Sequence, residues 1–60
     1  ILKYVSTAFG DLLADKNMPR AEACRVTRLN KGNFYAFLKG DTSKMSRKTA
    51  MNAYREIAAL

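Results

Sequence analysis

Histidine and tryptophan are missing from this sixty-residue sequence, and cysteine and proline occur once each. Without histidine the chain lacks the commonest general base and the usual activator of a serine or cysteine nucleophile. A lone cysteine, Cys24, forms no internal disulfide, and with no histidine to join it a zinc site has no donor set. Such cysteine usage fits an intracellular chain, with Cys24 as a small buried residue and not a redox sensor. Carboxylates are scarce too: Asp11, Asp15, Glu22, Asp41 and Glu56 are all there are. They are scattered, no pair is spaced for acid–base work, and a chain this short leaves little room for a substrate cavity. No catalysis, no cofactor, no metal and no small-molecule substrate is expected. Nor does any apolar run approach the roughly 20 residues of a membrane-spanning helix, and no signal-peptide pattern is visible. Because it begins at Ile1 and not at a methionine, the chain is expected to be a fragment of a longer protein.

What is present is a modest apolar content and a strong excess of positive charge. Apolar residues make up 48% of the sequence, enough for one small core over residues 1–60 but near the lower limit for independent folding. Eleven Lys and Arg against five Asp and Glu give a net charge of +6. The charge is also uneven. Between Arg28 and Lys48 stand Arg28, Lys31, Lys39, Lys44, Arg47 and Lys48, opposed only by Asp41. A one-sided basic stretch of this kind suits a polyanion, although a solvated face serving only solubility has the same composition.

Hydrophobic spacing divides the chain into helices, with no strand-like alternation. Leu2, Val5, Phe9, Leu12 and Leu13 fall on one helical face, widened by Tyr4 and Ala8, and predict a helix from about Leu2 to Lys16. Gly10 inside it costs about 1 kcal/mol and is expected to mark a close helix contact. Pro19 suits the first position of a second, short helix, which carries Glu22 near its start and small residues at Ala21, Ala23 and Cys24. This helix should stop near Thr27 or Arg28. Asn30 is a good N-cap for a third helix that runs to Leu38 or Lys39, buries Phe34, Phe37 and Leu38, and closes at Gly40. Asp41 to Met45 reads as a polar loop. Ser46 is the candidate N-cap of the last helix, with Met45 and Ala50 placed as a hydrophobic staple and Ala50, Tyr54, Ile57 and Ala58 as its inner face. The expected fold is all-α, a small domain of four helices, or five.

The window from Arg20 to Gly40 has the layout a helix-turn-helix needs. Ala23 and Cys24 are small enough for two helices to cross closely, Leu29 fills the angle between them, and Phe34 and Phe37 anchor the second helix so that its other face stands clear. With the helix that follows, this window resembles the lambda-repressor-like helix-turn-helix domains of phage repressors and bacterial regulators. Ala23 and Cys24, Arg28, Leu29, Asn30, Phe34 with Phe37, and Gly40 occupy the pattern's positions. Arg28 departs from it, standing where a glycine is usual, and is expected either in a left-handed conformation at a cost of roughly 1 kcal/mol or in a turn of different build.

The resemblance implies sequence-specific binding of double-stranded DNA by a transcriptional regulator, most often a repressor, in the cytoplasm and nucleoid of a bacterial or phage-infected cell. With the third helix in the major groove, Lys31, Gly32, Asn33 and Tyr35 would meet base edges: Lys by donating to guanine, Asn by pairing with adenine, and Gly32 by letting the backbone approach. Asn30, Lys39, Lys44, Ser46, Arg47 and Lys48 would contact phosphates. Asn30 serves equally well as a helix cap alone, Tyr35 could fold back on the core, and Arg20 and Arg25 could reach phosphates or simply be solvated. One domain reads a few base pairs, so a homodimer on two half-sites is expected. The alternative is a helical protein-interaction module, or an antitoxin, whose basic face binds an acidic partner.

Overall fold

The computed structural model describes residues 2–60; Ile1 lies outside them. Four α-helices form, α1 (Leu2–Asp15), α2 (Arg20–Thr27), α3 (Lys31–Leu38) and α4 (Arg47–Ala58), with one 3-10 turn (Thr42–Lys44) before the last. The expected polar loop after α3 is therefore partly helical. Asp41 explains it: its carboxylate accepts from the Ser43 backbone N–H at 3.1 Å and from the Ser43 hydroxyl at 2.6 Å, which winds the segment into a turn.

Each helix end follows from a local device. α1 stops where Asn17 turns left-handed (φ 53°), a conformation Asn tolerates better than most residues. There the Asn17 N–H donates to Ala14 O at 3.1 Å and the Met18 N–H to Leu13 O at 2.9 Å. α3 closes in the same way at Gly40 (φ 106°), whose N–H meets Phe37 O at 3.0 Å while Asp41 N–H meets Ala36 O at 2.9 Å. These paired bonds satisfy carbonyls that a helix end leaves free. Pro19 sits one residue earlier than its spacing suggested. It is the N-cap of α2, extended at φ −64° and ψ 150°, and its carbonyl accepts from Ala23 N–H at 3.1 Å. The ring offers no side-chain acceptor, so α2 begins without a side-chain cap.

One core joins the helices: Phe9 and Leu13 from α1, Ala23 from α2, Phe34 and Phe37 from α3, and Ala50, Ala53 and Ile57 from α4, with Met45 just before it. Phe9 is the hub. Its ring meets Phe34 at 5.3 Å, Tyr54 at 5.7 Å and Phe37 at 6.3 Å, each edge to face, an arrangement worth about 0.5–1.5 kcal/mol per pair beyond the area buried. Met45 and Ala50, the staple positions, are both buried. Ser6 is the one buried polar side chain among the described residues, and its hydroxyl donates to the carbonyl of Phe37, tying α1 to the far end of α3.

Four sequence expectations fail here, one of them Leu38, which is half-buried against the core and not within it. Tyr4 does not widen the inner face of α1; it is 82% exposed, because five residues at 3.6 per turn place it about 140° round the helix from Phe9. Gly10 marks no close contact. It is exposed, a side chain there would meet nothing within 4 Å, and nothing in the structure explains its presence. On α4 it is Ala53 and not Ala58 that is buried, which completes an i, i+3, i+4, i+7 stripe of Ala50, Ala53, Tyr54 and Ile57. Among the described residues no helix is long and apolar enough to cross a membrane.

Candidate nucleic-acid interface

The turn between α2 and α3 is three residues long, Arg28 to Asn30, since α2 ends at Thr27 and α3 begins at Lys31. Arg28 occupies the left-handed region at φ 61° and ψ 26°, the first of the two conformations expected of it. Leu29 is half-buried against the core, and its carbonyl accepts from the Cys24 thiol at 3.1 Å. Cys24 is a free thiol, half-buried and not fully enclosed. Asn30 then caps α3, its Oδ1 accepting from Asn33 N–H at 3.0 Å. The turn is thus held at every residue, by a backbone well, a plug and a cap, and it sets the direction in which α3 leaves.

α3 is sharply two-sided. Phe34 and Phe37 are wholly buried, whereas Lys31, Gly32 and Asn33 are all exposed on its first turn. Tyr35 takes neither role alone. It is half-buried, and its ring is met by two cations, with the Arg20 guanidinium carbon 5.2 Å and the Lys31 ammonium 5.7 Å from the ring centre. Each contact is worth about 0.5–1 kcal/mol at an exposed site. Tyr35 therefore holds Lys31 and brings Arg20 of α2 beside the first turn of α3, a role that sequence spacing left open between base contact and core. Lys31 and Tyr35 stand four residues apart, and that spacing was the available signal.

The remaining sites divide by position. Lys39 is exposed at the C-terminal end of α3, about 12 Å along the axis from Lys31, where a cation also favours the helix dipole. Lys44 is exposed in the 3-10 turn, which packs against α3. Ser46 caps α4: its Oγ accepts from Thr49 N–H at 3.2 Å and donates to Thr49 Oγ1 at 2.9 Å. With its hydroxyl so engaged, Ser46 offers a capped helix end more than a free donor. Arg47 and Lys48 are exposed on the first turn of α4 and, with Met51, Asn52 and Arg55, line a shallow depression of about 530 Å³. Asn52 and Arg55 were missed in the sequence, although Arg55 falls eight residues after Arg47 on the same side of the helix.

Electrostatics add a common feature. The first turns of α3 and α4 contain no acidic residue, unlike that of α2, which has Glu22. Instead they carry Lys31, and Arg47 with Lys48. Free N–H groups and the helix dipole make a helix start favour negative charge and disfavour cations, by about 0.3–1 kcal/mol each. Asp41, between the two starts, is held below the ordinary aspartate value of 3.8, first by the Ser43 hydroxyl, then by the Ser43 N–H, with Lys44 assisting against slight desolvation. It remains an anion occupied locally. Among the described residues no group of three His, Cys, Asp or Glu side chains could hold a metal ion. Comparison with family models, with curated protein sequences and with solved structures finds no match to this chain.

Proposed function

We propose that the chain is a sequence-specific DNA-binding domain of the lambda-repressor-like helix-turn-helix type, and that it serves a transcriptional regulator, most simply a repressor. The observation that carries this reading is the first turn of α3. It is capped by Asn30, has no acidic residue, and presents Lys31, Gly32 and Asn33 to solvent while Phe34 and Phe37 fix its back in the core. Helix starts that bear cations in place of carboxylates are suited to an anion supplied from outside. In the bound state α3 lies in the major groove; Lys31 donates to guanine O6 and N7, and Asn33 pairs with adenine. Arg20, steadied by Tyr35, and the cations of the 3-10 turn and α4 set the register on phosphates. Two copies on half-sites about 34 Å apart would supply useful affinity, and occupancy would block polymerase.

A second reading has one observation in its favour. Tyr4, 82% exposed, borders a small apolar groove with Val5, Ala8, Met51 and Tyr54, a feature that suits a protein-interaction module or an antitoxin. Selection from a random duplex library separates the two. The DNA reading expects a selected motif whose log–log salt slope is about −4 to −5, from four to six phosphate contacts. Lys31→Ala and Asn33→Ala should relax base preference at single positions, each by about 1–3 kcal/mol of discrimination. Equal, weak binding to every duplex would overturn it in favour of a protein partner.

A further inference from the structure

The depression on α4 sets cations and an amide around one apolar residue. Arg47, Lys48, Asn52 and Arg55 surround Met51, and all but Met51 are exposed. No carboxylate lines it; Glu56, the nearest in sequence, does not contribute. Three cations and an amide make up a donor surface without an acceptor charge. No aromatic side chain lines it, and it lies open to solvent, unlike the enclosed clefts that hold a small molecule.

Its length matters more than its volume. Arg47 and Arg55 are eight residues apart, about 12 Å along the helix axis. A duplex carries one phosphate per strand for about every 3.4 Å of its axis, so a row this long exceeds the step from one phosphate to the next. A single phosphate ion would use only one end of it. The row also starts in the right place. The 3-10 turn that leads into α4 packs against α3, so the row begins three residues after a segment that touches α3, and Arg55 lies about 12 Å further along α4.

We infer that the Arg47–Arg55 face of α4 is a phosphate track for the backbone of the same duplex, extending the footprint beyond what α3 can reach. The inference rests on the DNA reading above. Asn52 and Arg55 are then binding residues, and Arg55 fixes register without reading sequence.

The test is a salt titration of the 60-residue chain and its Arg55→Gln variant on the best selected duplex, followed by a second selection with the variant. Arg55 is exposed, so the variant should fold, melting only slightly below the parent for the cation lost from the last turn of α4. The expected result is a log–log slope shallower by about 0.9, the loss of one phosphate contact, with the same selected motif. Slope and affinity unchanged by Arg55→Gln, on a duplex the parent binds selectively, would overturn the track and leave the α3 reading standing. Conversely, a parent with no sequence preference whose salt slope still depends on Arg55 would support the track and sink base reading by α3. A parent that binds no duplex at all sinks both.

Discussion

Arg28 provides a quantitative test of how the turn between α2 and α3 is built. At φ 61° and ψ 26°, a residue with a Cβ bears a left-handed penalty of about 1–2 kcal/mol that glycine avoids. Glycine also loses more freedom on folding, which takes back about 0.4–1 kcal/mol through the unfolded chain. The difference favours Arg28→Gly over Arg28→Ala by about 0.5–1 kcal/mol. Both variants lose the same charge, so comparing them removes electrostatics. For a domain of this size 1 kcal/mol is worth about 4–8 °C in Tm, so the glycine variant should melt some 2–8 °C above the alanine variant by circular dichroism. The same pair of substitutions at Arg25, exposed inside α2, should show the opposite order, alanine ahead by about 1 kcal/mol. An alanine variant at 28 as stable as the glycine variant would mean that the turn is not left-handed in solution, and the direction assigned to α3 would go with it.

Three further outcomes follow from local geometry. Gly32→Ala should raise stability by about 0.5–1 kcal/mol, because the new methyl would meet Asn30 Oδ1 at an ordinary 3.4 Å; if the α3 backbone lies against DNA, the same methyl should weaken duplex binding, and a gain in both would contradict close approach. Asn30→Ala and Ser46→Ala should each cost about 1 kcal/mol by removing an N-cap, seen as a lower urea midpoint with an unchanged slope, while Asn30→Ser should restore most of the loss. Asp41, observed by NMR, should titrate below 3.8 because Ser43 bonds to its ionised form. Its folded value is depressed, so its contribution to stability is present above the unfolded value and is lost as pH falls through the folded one; Ser43→Ala should bring the midpoint back up, and an unmoved midpoint would refute the turn.

How far the fold could be read depended on whether a residue's role is local. Asn30, Ser46 and Gly40 were legible because a cap or a closing glycine acts on its own helix, within four residues. Phe9, Phe34, Phe37 and Ile57 were legible from helical spacing. Ala58 misled because an apolar residue at the edge of a stripe is buried only if a neighbouring helix covers it, whereas Tyr4, about 140° from Phe9, was out of register with the stripe from the start. The 3-10 turn was missed because Asp41 makes its bonds through Ser43, over two residues, too short a period for any hydrophobic signal. At the site, the cations were visible as a list, yet their grouping was not. Arg20 joins Lys31 only through Tyr35, and Arg55 was passed over although the expected last helix already put it two turns beyond Arg47.

The two-sidedness of α3 has a consequence for how such a chain can change. Its anchors, Phe34 and Phe37, and its exposed first turn, Lys31 to Asn33, share a helix but no contact surface. Side chains at positions 31 and 33 can be exchanged at a cost of no more than about 1 kcal/mol, since position 33 is capped through its backbone N–H and position 31 has only its contact with the Tyr35 ring to lose. The Ser6 hydroxyl, bound to Phe37 O from α1, holds the helix at one pitch while its outer residues vary. A scaffold divided in this way works as an interchangeable head on a fixed mount: new preferences can be tried at a few solvent-facing positions, and the domain need not be refolded to accept them.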